Sequence, residues 1–191
     1  MFRRPKNETE THFLLKEVAK YILWGWGYNR LGTEVDSMYS FDGTENTRKR
    51  RGMKNIVDVA GVKISKSRGK SIYDVRIVES KATLQDFKSG YCSCASHNYI
   101  IAPKGIIPLN LIPENIGLIE VEISQLEIQK YSQKISDMKG VELVKKAKKK
   151  RDSRFKTEES YQKWCHDILE KIAYRSGSEL LFWRNYIEFT K

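Results

Sequence analysis

Two carboxylates and an ammonium, Asp58, Glu79 and Lys81, stand in the two most strand-like segments of this chain. The first segment is Asn55-Ile56-Val57-Asp58-Val59-Ala60-Gly61-Val62; the second is Ile72-Tyr73-Asp74-Val75-Arg76-Ile77-Val78-Glu79-Ser80-Lys81. β-Branched residues dominate both, and Gly or polar clusters bound them, so both are expected as β-strands. Acids at the inner ends of buried strands are costly unless something compensates them. A divalent cation is the simplest compensator, and at a strand end it points to phosphate chemistry. Strand alternation places Glu79 and Lys81 on the same face.

The elements that must position these groups are legible in outline. A helix is expected over 11–26, capped by Thr9 or Thr11, with broad apolar stripes through Leu14, Val18, Tyr21 and Ile22 and through Leu15, Ala19, Ile22 and Trp26. A strand over 32–41 and a polar loop over 42–54 precede the two acid-bearing strands, which Lys66-Ser67-Arg68-Gly69-Lys70 joins as a hairpin turn. After Lys81 a helix is expected over 83–95, with Thr83 as N-cap and Asp86 completing a capping box. Short buried strands follow over 99–102 and 117–121, which gives an α/β core with a mixed sheet. The carboxy-terminal part differs: a basic run from Lys145 to Arg151 precedes a helix with Tyr161, Trp164, Cys165, Ile168 and Ile172 on one face. The apolar segment 180–189 is left unassigned, and the chain divides into a core over 8–138, a basic linker over 139–157 and a helical extension over 158–191.

A chain of 191 residues that is 40% hydrophobic and 31% charged can build a core, which excludes a disordered polyampholyte. Its net charge of +11 favours a polyanionic partner through phosphate attraction and counterion release, with an anionic membrane surface as the weaker alternative. The amino terminus lacks the apolar stretch of a signal peptide, no apolar run is long enough to span a bilayer, and three cysteines make no disulfide framework. A reducing cytoplasm and no membrane partner are the expectation.

This order of elements and acids resembles the PD-(D/E)XK nuclease superfamily, with Asp58 in one strand and Glu79-Ser80-Lys81 in the next. The stretch from Glu79 to Lys88, where a helix begins just after the lysine, is similar to the MmcB-like and resolvase-like branches. The resemblance spans residues 8–122; Val57-Asp58-Val59 lacks the proline of the superfamily's name, as do many of its members. It implies a restriction-endonuclease-like αβββαβ core with a mixed central sheet, beside the basic helical C-terminal extension. It also implies a metal-dependent nuclease that hydrolyses DNA by water attack, with RNA as an alternative substrate. Asp58, Glu79 and the Ser80 carbonyl would hold Mg²⁺ or Mn²⁺, and Lys81 would orient the attacking water. A further acid from the first helix is usual in the superfamily. Glu17 is the choice, with Glu10 and then Glu34 behind it; a surface pairing of Glu17 with Lys16 or Lys20 is the competing reading. Gln85 and Lys88, on the helix after the motif, would contact the substrate backbone. Junction-cleaving members pair two active sites, which admits a homodimer.

Other signals weigh less. Arg48-Lys49-Arg50-Arg51 reads as a basic loop able to track phosphates, or as a solvated loop. Cys92-Ser93-Cys94-Ala95-Ser96-His97, with Cys165-His166, invites a zinc reading, but the Cys-x-Cys spacing favours buried thiols against the sheet. His97 is too isolated to partner a nucleophilic cysteine. Trp24, Trp26 and Tyr28 read as core packing, and Tyr91 as either core or substrate-facing. Two rivals to the nuclease stand: a catalytically inactive nucleic-acid-binding module on the same fold, and an interaction protein that works through its basic tail.

Overall fold

Thr9 starts the first helix: its hydroxyl accepts the His12 amide at 3.2 Å, and α1 (Glu10–Gly25) follows from this extended cap. The computed structural model describes residues 8–37, 56–127, 134–150 and 155–189, with side chains up to 175 in the last helix. After α1 come β1 (Arg30–Asp36), β2 (Ile56–Ser67), β3 (Lys70–Ser80), α2 (Leu84–Lys88), β4 (His97–Pro103), β5 (Ile116–Val121), β6 (Val141–Lys145) and α3 (Glu158–Phe189). The six strands form one sheet in sequence order. β1, β2 and β3 pair antiparallel, β3, β4 and β5 pair parallel, and β6 returns antiparallel on β5. The fold is therefore α/β with a mixed sheet.

Both faces of the sheet are covered. α1 lays Leu15, Val18, Ala19, Ile22 and Leu23 on one face, against Val59, Val78, Ile101 and Ile119. Gly61 allows the close fit at the end of this helix, since a Cβ there would lie 2.9 Å from the Tyr28 Cβ. On the other face α3 packs Trp164, Cys165, Ile168 and Ile172 against Val57, Val62, Val75 and Ile77. Phe87 of α2 joins Ile107 and Ile112 over Ile100 and Leu118.

Several expectations change here. The segment 139–157 is not a plain linker: Val141 and Leu143 turn inward and make β6. The helix over 158–191 is not an appendage, because Trp164 and its neighbours complete the core over β1 to β3. It also takes in the unassigned segment, continuing to Phe189. Trp24 is 53% exposed and so is not core, whereas Tyr28 is buried and Trp26 packs 4.8 Å from Tyr99. The helix over 83–95 ends at Lys88, where Gly90 adopts φ +108. Among the described residues no helix is long and apolar enough to cross a membrane.

Candidate metal centre

The β2–β3 ladder opens at the two acids. Regular pairing ends at Val59↔Val78. One residue further, side chains replace backbone partners: the Asp58 amide donates to Glu79 Oε1 at 3.3 Å, and the Ser80 amide donates to Asp58 Oδ2 at 2.8 Å. Each carboxylate thus satisfies an amide that the splayed strands would leave orphaned. The neighbouring β1 is also irregular here, since Glu34 holds φ +53, a region few residues other than glycine adopt. Its carbonyl accepts Arg175 Nη1 at 2.6 Å and its carboxylate accepts Lys16 Nζ at 2.6 Å, which hold this strained point of the strand in place.

Glu79 and Lys81 are fully buried on the same side of β3, as alternation requires. Lys81 Nζ donates to the Gly90 carbonyl at 2.9 Å and lies 3.7 Å from both Glu79 Oε2 and Asp86 Oδ1. The Thr83 cap forms as expected, its hydroxyl accepting the Asp86 amide at 3.1 Å, and Asp86 Oδ2 accepts the Ala82 amide in return. The site lysine is thereby tied to the short helix that carries exposed Gln85 and Lys88. Arg48, Lys49, Arg50 and Arg51 lie outside the described residues.

α1 presents a different set of residues from the one expected. Glu8, His12 and Lys16 recur every four residues and so share one side of the chain entering and forming α1. His12 Nε2 lies 3.3 Å from Asp58 Oδ2, His12 Nδ1 lies 3.7 Å from Glu8 Oε1, and Lys16 forms an ion pair with Glu8. Glu17 instead pairs with Lys20 at 2.5 Å, and Glu10 is exposed. The reason is a choice of stripe: Leu15, Val18, Ala19, Ile22 and Leu23 face the sheet, and Tyr21 is 37% exposed, so the Leu14–Glu17–Tyr21 side points away from the core. The four-residue recurrence of Glu8, His12 and Lys16 was the available signal, and it is polar, which hid it among surface positions.

Electrostatics separate the two acids. Burial alone would raise Asp58, but the His12 ring, the Ser80 amide and the Lys81 ammonium more than offset it and hold the carboxyl below its usual range. Glu79 is pushed up to about 8, first by burial and then by the charges of Asp58 and Cys92. Burial also opposes the charge on Lys16, yet Glu34 and Glu8 more than compensate and raise it. Without a cation, Glu79 therefore keeps a proton that it loses on unfolding, so folding stability tied to this group is full below about 4.5 and lost as pH rises through about 8. In a chemical-denaturation series between those limits, the stability of the wild type relative to Glu79→Gln should fall as pH rises. A difference that stays flat or rises over this window contradicts the assignment.

The donor set suits one small hard cation. Glu79 Oε2 is buried and accepts no hydrogen bond from the described residues. Among the described residues no three His, Cys, Asp or Glu side chains converge as a ready-made metal cage. The hard oxygens of two carboxylates nonetheless suit Mg²⁺ or Mn²⁺, because Mg²⁺ usually keeps several waters. The thiols follow the buried reading: Cys92, Cys94 and Cys165 all lie in the α3 cluster, and burial pushes Cys165 up to about 12. Tyr91 stacks on Phe87 with 5.6 Å between ring centroids, which makes it packing.

No family model matches this chain, and no curated protein matches its sequence. Among solved structures it is similar to a protein of unknown function from Silicibacter pomeroyi, at 17% identity and a TM-score of 0.52 over 93% of each chain. That likeness concerns the fold alone. It does bear on α3, since 7% of 191 residues is about 13, fewer than the 32 residues of the helix. At least part of α3 therefore belongs to the shared architecture.

Proposed function

We propose that this protein is a metal-dependent nuclease of the PD-(D/E)XK type that hydrolyses DNA phosphodiester bonds. The observation that carries the reading is the opened ladder itself, where Asp58, Glu79 and a fully buried Lys81 meet at the end of β3. The order α1, β1, β2, β3, α2, β4 around them supports it. Asp58, Glu79 and the Ser80 carbonyl would hold Mg²⁺ or Mn²⁺. Such an ion, when bound, polarises the scissile phosphate and acidifies water.

The chain's own groups do the rest. Lys81, fixed by the Gly90 carbonyl, donates to the attacking water and stabilises charge that develops on the phosphate. Its fixed place, 3.7 Å from the Glu79 and Asp86 carboxyl oxygens, suits positioning rather than proton abstraction. His12 meets Asp58 Oδ2, the oxygen that also accepts the Ser80 amide, with Glu8 behind it. The helix contribution is thus assigned to His12 and Glu8 in place of Glu17. His12→Ala should slow cleavage by roughly 10- to 100-fold, as losses of groups orienting metal ligands do. Glu17→Ala should stay within about twofold, as surface changes do. Comparable losses in both variants would overturn this assignment of the helix residues.

The inactive-module reading draws on the lack of a three-ligand cluster among the described residues. A panel of labelled DNA and RNA forms, incubated with Mg²⁺, Mn²⁺ or chelator, separates the two. The nuclease reading expects cation-dependent cleavage of at least one DNA form; binding without cleavage across the panel contradicts it.

A further inference from the structure

The β2–β3 hairpin leaves the sheet as an arm. β2 is buried from Val57 to Val62 and exposed from Lys63 onward, and β3 is exposed from Lys70 to Ile72. Pairing continues unbroken to Ser67↔Lys70, beyond the last β1 partner at Val62. Residues 63–72 hold Lys63, Lys66, Arg68 and Lys70 and no acid, and none of the four forms an ion pair among the described residues. The turn is Arg68-Gly69, at φ +49 and +77. This two-residue geometry favours Asn or Gly at its first position. A guanidinium is kept there against local strain, at the outermost point of the arm.

The root of the arm is held firmly. Before β4 joins at Arg76↔His97, the free edge of β3 is closed by Gln162 of α3. The Tyr73 amide donates to Gln162 Oε1 at 2.8 Å, and Gln162 Nε2 donates to the Tyr73 carbonyl at 3.0 Å. A second basic element crosses the same end of the sheet. After β6 the Lys148 amide donates to the Asn115 carbonyl at 3.2 Å and the Lys150 amide to the Ser96 carbonyl at 3.0 Å, just ahead of β5 and β4. Lys148 pairs with Glu114, whereas Lys146, Lys149 and Lys150 are exposed and form no ion pair among the described residues. Burial, then Arg76 and Lys149, hold the His97 ring below its usual range, against the opposing Asp74 carboxylate.

The acid pair lies at the other end. Nine residues of β3 separate Glu79 from Lys70, about 30 Å at roughly 3.3 Å per residue. The cations at the tip of the arm cannot reach the phosphate being cut. We propose that the arm and the basic crossing form a second, non-catalytic surface for the DNA backbone, which engages substrate remote from the scissile bond and sets a minimum useful length. This rests on the reading of the protein as acting on DNA. DNA too short to span from the acids to the arm should gain nothing from it.

The test is anisotropy binding of labelled duplexes of about 8 and about 30 base pairs, below and above the roughly 10 base pairs of one turn, in chelator and over a salt series. The probe protein is the full chain carrying Lys66→Gln, Arg68→Asn and Lys70→Gln together. Affinity for the long duplex should fall about tenfold, and the slope of log affinity against log salt should drop by about 2 to 3, near 0.9 per lost contact. Affinity for the short duplex should not move, and the thermal midpoint should not fall. Wild-type affinity and slope for the long duplex in the triple variant would overturn the proposal, as would a wild-type protein that binds no DNA at low salt. Since no cleavage occurs in chelator, the outcomes separate. Arm-dependent binding without cation-dependent cutting sinks the nuclease alone, and cutting with arm-independent binding sinks the arm alone.

Discussion

Glu79→Gln should remove cation-dependent cleavage by about 10²- to 10³-fold or more while the protein stays folded and still binds DNA. The size follows from loss of a charged ligand at the point where transition-state charge is met. The survival of the fold follows from the environment of the group. Glu79 is buried and carries its proton up to about 8, so a neutral amide of the same shape replaces a side chain that is already neutral in the cation-free protein. DNA affinity should hold, because the substitution adds no repulsion toward phosphate. Lys81→Met should produce a similar loss of rate for a different reason. The methionine keeps the buried stem but leaves the Gly90 carbonyl without its donor, at a cost of about 1–3 kcal/mol. It also leaves Glu79 and Asp86 without the ammonium 3.7 Å from each. Single-turnover rates and duplex binding, measured side by side, check both variants. Cleavage at the wild-type rate in both would end the catalytic account.

The second large effect is on stability. Trp164 is fully buried, with Phe155 and Tyr161 rings 5.3 and 5.8 Å away, and it faces β1 to β3. Trp164→Ala should cost about 3–5 kcal/mol, a large share of the roughly 5–15 kcal/mol that holds a domain of this kind folded. Ending the chain at Lys150 should unfold it, because the apolar side of Val57, Val62, Val75 and Ile77 would then face water. Urea denaturation reads both. A shortened chain with a cooperative transition near the wild-type midpoint would mean that α3 is an appendage after all.

Strand alternation made the acid pair and its lysine legible, because buried β-strands mark polar residues by contrast. The same contrast failed on α1. Its sequence offers two overlapping apolar stripes, and only packing against the sheet selects the one through Leu15, Val18 and Ile22. That selection turns Glu17 outward to Lys20 and brings His12 to Asp58. The α2 boundary was hidden for a similar reason. Residues after Lys88 have no local reason to stop a helix until Gly90, whose carbonyl is required by Lys81. β6 is five residues long and lies among lysines, so its alternation was masked by charge. The place of α3 could not be read from composition, since an amphipathic helix after a basic run describes an extension and a core helix equally well. The hairpin was visible as a turn, but its projection beyond the sheet depends on where β1 ends.

The proposed nuclease requires a divalent cation at the opened end of β2 and β3. The measurement is Mn²⁺ uptake at pH 7.5, followed by electron paramagnetic resonance, on the wild-type chain with an uncleavable phosphorothioate duplex bound. Saturable binding is expected, lost in Asp58→Asn and Glu79→Gln and unchanged in Glu17→Ala. Saturable Mn²⁺ binding that survives both acid substitutions, or none by the wild-type complex, would contradict it.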